Sequence, residues 1–194
     1  MRIGVLSLQG AFGAHSRMLA GLGVEAVAVR QPSDLSGIEG LILPGGESTT
    51  LSMLIESSGL RPALEDLVRD GLPMFGTCAG MILLSQEVVG RRHDQLSFAA
   101  IDITVERNGY GRQLDSFEAE IGLDAHRNFR GVFIRAPRVV RVGPGVTVLA
   151  THNDDAVLLE NGRVLVASFH PELTEDPSIH QLFITRHISA GIPA

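Results

Sequence analysis

The chain has 194 residues, of which 44% are hydrophobic and 20% charged, and it carries a formal net charge of −6. This composition is typical of one compact soluble domain, and the negative charge, with no basic run, argues against a general nucleic-acid binder. No apolar stretch reaches the ~18 residues of a membrane span, and the first residues run straight into strand-like sequence rather than a signal peptide. A single cysteine excludes a disulfide framework within the chain. We therefore expect a cytoplasmic protein.

Strand-like and helix-like segments alternate through the first half of the chain. Short β-rich runs predict strands at residues 3–8, 24–29, 40–43 and 73–77, and apolar spacing predicts helices at 13–22, 48–57 and 61–70. A further apolar run, Met81-Ile82-Leu83-Leu84, reads as the start of a helix. This order predicts an α/β fold of three layers, with an open, mostly parallel sheet covered by helices on both faces.

The second half of the chain changes to short strands separated by polar residues. We predict strands at residues 101–105, 117–121, 131–134, 139–142 and 146–150, a hairpin of 156–159 with 163–168, and a final helix at 177–189. The antiparallel strands are expected at one edge of the parallel sheet. Because no repeat, low-complexity tract or linker is present, residues 1–194 are interpreted as one domain.

The only cysteine, Cys78, lies in the segment Gly76-Thr77-Cys78-Ala79-Gly80, between a predicted strand and a predicted helix. Such a tight turn pushes its central side chain out of the sheet edge, as in the nucleophile elbow of serine hydrolases. The flanking glycines allow the strand and the helix to approach closely, and the helix N-terminus favours the reactive thiolate. A lone cysteine is otherwise usually a small buried hydrophobe, so it is the elbow context that favours a nucleophile.

A second candidate group, His170-Pro171-Glu172, follows the predicted strand 163–168. His170 leaves the carboxyl end of a strand, where the active sites of open α/β sheets collect. Pro171 stiffens the turn, so Glu172 can reach the second imidazole nitrogen. In isolation this motif would read as a loop histidine beside a solvated carboxylate. Together with the elbow, it indicates a base and its orienting carboxylate for a cysteine nucleophile.

The third candidate is the loop Pro44-Gly45-Gly46-Glu47-Ser48-Thr49-Thr50. Two glycines after a buried strand expose backbone N–H groups, and Ser48 or Thr49 can cap the following helix. The Gly-Lys-Ser/Thr of a nucleotide-binding P-loop is missing, which argues against a phosphate loop. Near a nucleophile, the exposed N–H groups suit a developing oxyanion, and the alternative is a plain tight turn with a helix cap.

These motifs together resemble the class I (triad) glutamine amidotransferases and, more narrowly, the glutaminase subunits of pyridoxal 5′-phosphate synthase. The pieces Leu-Gln-Gly, Gly-Gly-Glu-Ser-Thr-Thr, Arg-Asn and Ile-Arg-Ala-Pro separate this subfamily from other triad amidotransferases. The resemblance implies a flavodoxin-like sheet with antiparallel edge strands. The matching stretches cover the chain nearly end to end: residues 3–11, 41–50, 73–80, 105–108, 111–113, 116–118, 133–137 and 169–174.

The resemblance also implies an activity, the hydrolysis of L-glutamine to L-glutamate and ammonia through a thioester on Cys78. His170 would be the base and then the acid, and Glu172 its orienting group. The implied oxyanion hole is formed by backbone N–H groups of Ala79, Gly45 and Gly46. No step requires a cofactor, and the seven histidines are scattered without metal-binding spacing, so no metal is expected. The implied glutamine-binding residues are Gly46, Glu47, Ser48, Arg107, Ile134 and Arg135.

The partner implied by the resemblance is a (β/α)₈-barrel synthase subunit in a hetero-oligomeric complex, which uses the ammonia to make pyridoxal 5′-phosphate. Docking is expected to activate the glutaminase, with Gln9, Gly10 and the Gly45-Gly46 turn as the pieces that rearrange. One departure from the family pattern is visible at Gly109-Tyr110, where serine and phenylalanine are expected. We expect this glycine to loosen the loop that places Arg107.

Two other functions stay open at this point. The chain could be a triad glutaminase that serves a different synthase, although the subfamily-specific segments argue against it. It could also be a non-enzymatic cysteine sensor on the same scaffold, a function that needs neither His170 nor Glu172.

Overall fold

The computed structural model describes residues 1–110, 116–124 and 127–189. The elements of its first half are β1 (Arg2–Leu6), α1 (Phe12–Gly21), β2 (Glu25–Val29), β3 (Gly40–Leu43), α2 (Ser48–Ser57), α3 (Leu60–Arg69), β4 (Met74–Thr77), α4 (Ala79–Leu84) and β5 (Ser85–Val89). They are followed by β6 (Ile101–Glu106), β7 (Ser116–Asp124), β8 (Arg127–Ile134), β9 (Arg138–Val142), β10 (Thr147–His152), β11 (Asp155–Glu160), β12 (Val164–Ala167) and α5 (Ser178–Phe183).

A seven-stranded sheet forms the centre of the molecule, in the order β10-β11-β12-β4-β3-β1-β2. The pairs from β12 across to β2 are all parallel, and β11 and β10 extend the sheet as antiparallel strands. The predicted fold class, a mostly parallel sheet with antiparallel edge strands, is therefore confirmed.

Side chains of the central strands alternate between two apolar layers, as the pleat of a strand requires. On β3, Leu41 and Leu43 pack on one face, with Leu51 of α2 and Leu64 of α3. Ile42 points to the other face, which packs against α1, α5 and the β7–β8 hairpin. Because both faces are covered, the central strands are continuous apolar runs rather than alternating ones.

The prediction that all antiparallel strands lie at one edge of the parallel sheet is wrong. Only β10 and β11 do so. Strand β9 pairs antiparallel with β6 in a separate three-stranded sheet, in which β5 and β6 are parallel, and β7 pairs with β8 as an antiparallel hairpin. Strand β5 was not predicted, because it follows α4 directly at Ser85 without a turn residue between them. The final helix also changes character, since α5 continues into a π-helical turn over Ile184–Ile188.

In the part of the chain that the structure describes, no helix combines the length and apolar character needed to cross a bilayer. The Gly111-Arg112-Gln113 stretch of the family resemblance lies outside the described residues.

Candidate active site

Three loops meet at one edge of the central sheet because three neighbouring strands are parallel. In the register of these strands, Leu43 of β3 lies opposite Gly76 of β4, and Ala167 of β12 lies opposite Thr77. The segments that follow the three strands, 44–46, 78 and 168–172, therefore leave the sheet side by side. This is the carboxyl edge, where ligand sites of open α/β sheets form.

Cys78 lies on a strained turn between β4 and α4. Its φ of 48° and ψ of −102° are unusual for a residue with a side chain, and its N–H is held by the carbonyl of Ala167 at 2.8 Å. The flanking glycine is required for packing, because a Cβ on Gly80 would lie 1.9 Å from the carbonyl oxygen of Leu43. The sulfur lies 3.8 Å from the carbonyl oxygen of Ile134. This is the elbow geometry that the sequence predicts.

His170 and Glu172 form a buried pair beside the cysteine. Nδ1 of His170 lies 2.7 Å from Oε1 of Glu172, and the backbone N–H of His170 donates to the carbonyl of Val132 at 2.8 Å. Burial lowers the pKa of His170, but the hydrogen bonds and charges of Cys78 and Glu172 outweigh it and raise the pKa to about 10. The ring therefore holds its proton at neutral pH, beside the sulfur of Cys78.

The two glycines of the 44–46 loop occupy different environments. The N–H of Gly45 donates to Oγ1 of Thr77 at 3.0 Å, and a Cβ there would lie 2.2 Å from Cε1 of His170. Gly46 lines the cavity in front of the sulfur. The N–H of Gly45, predicted to hold an oxyanion, is thus occupied by Thr77 in this conformation. For the other two predicted donors, the N–H groups of Gly46 and Ala79, no side-chain acceptor is found among the described residues.

A cavity of about 290 Å³ opens in front of Cys78 and His170. This volume is at the lower end for small-molecule sites, so it suits a compact ligand. The six residues that the family resemblance assigns to glutamine binding all line it, together with Gln9. Ile82 and Asn108, which the sequence did not predict, also contribute to the lining.

Charged groups of both signs meet at one wall of the cavity. Nη2 of Arg107 donates to Oε1 of Glu47 at 3.1 Å. Glu47, rather than the predicted Ser48 or Thr49, caps α2, where it accepts from the N–H groups of Thr49 and Thr50. Burial would raise the pKa of Glu47, but the hydrogen bonds from Thr50 and Thr49 lower it overall. The wall therefore presents a guanidinium and a carboxylate side by side, the two charges that recognition of a zwitterion would need.

Ser48 is positioned by a buried amide that no sequence motif indicates. Its hydroxyl donates to Oε1 of Gln95 at 3.0 Å, and Nε2 of Gln95 donates to Oγ of Ser52 at 3.2 Å. Gln95 lies in a connection between β5 and β6, far from any motif, and is fully buried. No spacing signal could have identified it.

The expectation that Gly109 loosens the loop of Arg107 is not supported by the local packing. A Cβ on Gly109 would lie 2.2 Å from the Cβ of Arg138, and its N–H donates to the carbonyl of Ala136 at 3.2 Å. The glycine allows close packing against β9 rather than freedom of the backbone.

The model of the SNO glutamine amidotransferase family matches residues 5–189 of the chain. The chain belongs to this family. A relative from Thermosipho africanus, named pyridoxal 5′-phosphate synthase subunit PdxT, is 52% identical over 185 residues, which cover 95% of this chain and 97% of that protein. A relative of the same name from Corynebacterium jeikeium is 52% identical over 194 residues, which cover 99% of this chain and 100% of that protein.

Solved structures agree with the membership of this amidotransferase family. One, described as a glutamine amidotransferase, is 46% identical with a TM-score of 0.90 and covers 98% of this chain and 99% of its own. The structure of PurLQS from Thermotoga maritima is only 15% identical, with a TM-score of 0.65, and covers 95% of this chain and 97% of its own. At this level of identity it supports the fold alone. The family resemblance predicted from the sequence motifs is confirmed.

Proposed function

We propose that this protein hydrolyses L-glutamine to L-glutamate and ammonia, and that it passes the ammonia to a synthase subunit that makes pyridoxal 5′-phosphate. The observation that carries the proposal is the meeting of Cys78, the His170–Glu172 pair and the two-glycine loop beside one small polar cavity. The names of the relatives support the second half of the proposal. We further propose that residues 1–194 form one glutaminase domain, which acts in the cytoplasm, where a lone thiol stays reduced.

The proposed reaction begins with attack of the Cys78 thiolate on the side-chain amide carbon of glutamine. The amide oxygen becomes an oxyanion, for which the backbone N–H groups of Ala79 and Gly46 are the donors. His170, charged in the resting site, then gives its proton to the amide nitrogen, and the carbon–nitrogen bond breaks to release ammonia. The product at this stage is a γ-glutamyl thioester on the sulfur.

The second half of the reaction removes the thioester. His170, now neutral, takes a proton from a water molecule, and the resulting hydroxide attacks the thioester carbon. The carbon–sulfur bond breaks, glutamate leaves, and the thiolate and imidazolium are restored. Glu172 accepts a hydrogen bond from Nδ1 of His170 throughout, so that Nε2 is the nitrogen that exchanges protons. Arg107 or Arg135 is the proposed cation for the substrate carboxylate.

The proposed partner is a (β/α)₈-barrel synthase subunit in a hetero-oligomeric complex, and docking on it is proposed to activate the site through Gln9-Gly10. Oε1 of Gln9 accepts from the N–H of Glu47 at 3.0 Å. A Cβ on Gly10 would lie 1.9 Å from the carbonyl oxygen of Gly45. Because the two segments are in such close contact, we propose that a shift of residues 9–10 displaces the 44–46 loop. Equal glutaminase rates with and without the synthase would contradict this coupling.

Ammonia release from glutamine, measured with the synthase subunit present, tests the proposed function. We expect the wild type to release ammonia and Cys78→Ala to release none, because no second cysteine can replace the nucleophile. Cys78→Ala is a suitable variant, since it removes only the sulfur at a position where the fold already tolerates a Cβ. Equal release by the two proteins would refute the assignment of the nucleophile.

A further inference from the structure

A second polar cluster lies behind the proposed triad, and the mechanism above does not use it. It consists of His15 on α1, Thr77 at the end of β4 and His180 on α5, all fully buried. Nε2 of His15 lies 3.1 Å from Oγ1 of Thr77 and 3.4 Å from Oε2 of Glu172. Nδ1 of His15 lies 2.8 Å from Nε2 of His180. Since buried polar groups need partners, the protons of this cluster can be assigned.

The carboxylate of Glu172 determines which nitrogen of His15 carries a proton. Its Oε1 is bonded to His170, whereas its Oε2 is buried and has no hydrogen bond of good geometry within the described ranges 1–110, 116–124 and 127–189. Nε2 of His15 faces that oxygen. An ionised carboxylate only accepts hydrogen bonds, so a lone pair on Nε2 would repel it and a proton there attracts it.

The other histidine nitrogens of the cluster agree with this tautomer. Burial first, and then the neighbouring His180 and His170, lower the pKa of His15 well below its usual value, so the ring is neutral and has one N–H. With that proton on Nε2, Nδ1 accepts from Nε2–H of His180. The remaining nitrogen of His180, Nδ1, is buried without a partner among the described residues, and it is then a lone pair rather than an orphaned N–H. Buried N–H groups without a hydrogen-bond partner are rarer in proteins, and cost more free energy, than buried acceptors without one.

We propose that His15 is a positioning residue for the triad, whose Nε2–H is shared between Glu172 and Thr77. Through Glu172 it holds the carboxylate that orients His170. Through Thr77 it holds the hydroxyl that accepts from the N–H of Gly45 in the 44–46 loop. This inference rests on the proposed glutaminase function. It also gives α1, which begins just after Gln9-Gly10, a direct contact with the triad.

Two matched variants separate this role from simple core packing. In His15→Gln the side-chain amide nitrogen falls near the position of Nε2, so a donor toward Glu172 is kept. In His15→Asn the shorter side chain reaches only the position of Nδ1, so that donor is lost. With the synthase subunit present, we expect the Gln variant to keep kcat within about threefold of the wild type. The Asn variant should lose on the order of 10- to 100-fold in kcat with KM unchanged.

The single cysteine provides a second measurement that does not depend on glutamine. Because Cys78 is the only thiol, its alkylation rate with iodoacetamide at pH 7 reports the Cys78–His170 pair alone. We expect the Asn variant to be alkylated several-fold more slowly than the Gln variant, while thermal unfolding shows both to be folded. A purely structural role for His15 would not move this rate.

The outcomes distinguish the two proposals. Equal kcat losses in the Gln and Asn variants, no loss in either, or a loss in kcat without a change in alkylation would each overturn the role of His15. The wild type could release no ammonia with its synthase, while alkylation of Cys78 is slowed by His15→Asn and not by His15→Gln. This result would refute the glutaminase function and support the positioning role.

Discussion

One added methyl group at Gly45 would test the geometry of the active site directly. A Cβ there would lie 2.2 Å from Cε1 and 2.8 Å from Nδ1 of His170. Both separations are well below an ordinary van der Waals contact, so in Gly45→Ala the ring or the loop has to move by on the order of 1 Å. The ring cannot move freely, because Glu172 holds Nδ1 at 2.7 Å and Val132 holds the backbone N–H at 2.8 Å.

The expected loss follows from this displacement. A misplacement of about 1 Å in a catalytic group costs roughly 100-fold in rate, or about 2.7 kcal/mol of transition-state stabilisation. We therefore expect Gly45→Ala to lower kcat about 100-fold and to leave KM little changed, because the three atoms nearest to the new methyl group all belong to His170. Glutamate formation with saturating synthase subunit measures both constants, and iodoacetamide alkylation of Cys78 measures the thiol independently.

A second glycine supplies the matched control. Gly21, the last residue of α1, has no atom within 4 Å of an added Cβ. Gly21→Ala should keep the wild-type rate and raise the free energy of unfolding by up to about 1 kcal/mol, since alanine is the better helix former. If folded Gly45→Ala protein retains kcat within about threefold of the wild type, the inference from the close contact with His170 is refuted.

Three further predictions concern the cavity wall, the buried amide and the response to acid. Arg107→Lys keeps the charge but loses the planar fork, so the KM for glutamine should rise roughly tenfold at constant kcat, and an unchanged KM in steady-state kinetics would contradict this. Gln95→Met removes the link between Ser48 and Ser52 and should lower the free energy of unfolding in urea by about 2–3 kcal/mol; a change below about 0.5 kcal/mol would refute it. Burial lowers the pKa of His180 to about 4, below the ~6.5 of an unfolded chain, so the unfolded state binds more protons between these values. The free energy of unfolding should therefore fall by up to ~3 kcal/mol as the pH drops from about 6.5 to 4, and His180→Gln should lack this part of the pH dependence. If the free energy of unfolding changes with pH in the same way in both proteins, the assignment to His180 is contradicted.

The parts of the fold that the sequence predicted well are those with a local signal. Strand β3 and helix α2 have the predicted bounds because a continuous apolar run ends at Pro44-Gly45 and a capping residue follows. The elbow of Cys78 was visible for the same reason, since glycines mark both the strand end and the helix start. Each candidate site residue that directly follows a strand could be placed at the sheet edge by topology alone.

Features held by long-range contacts had no such signal. His15 contacts Glu172 only because α1 packs beside the 171–173 turn. The position of His15 in the sequence, far from the His170-Pro171-Glu172 motif, gives no indication of this contact. The separate sheet of β5, β6 and β9 was missed because pairing partners are not encoded in the strands themselves. The close packing of Gly109 had no sequence signal for a related reason. A glycine can mark freedom or close approach, and only the position of Arg138 distinguishes them.

The position of β12 inside the central sheet has a consequence for how the protein is made. This strand is the last of the sheet to leave the ribosome, yet it lies between β11 and β4 rather than at an edge. Until it is synthesised, the parallel half of the sheet exposes β4 as an open edge, and the thiol of the elbow has no imidazole beside it. A truncated or nascent chain is therefore prone to pairing with other chains through this edge. Cys78 and His170 come together only when nearly the whole polypeptide is present, so any chemistry that needs both side chains has to wait for complete synthesis.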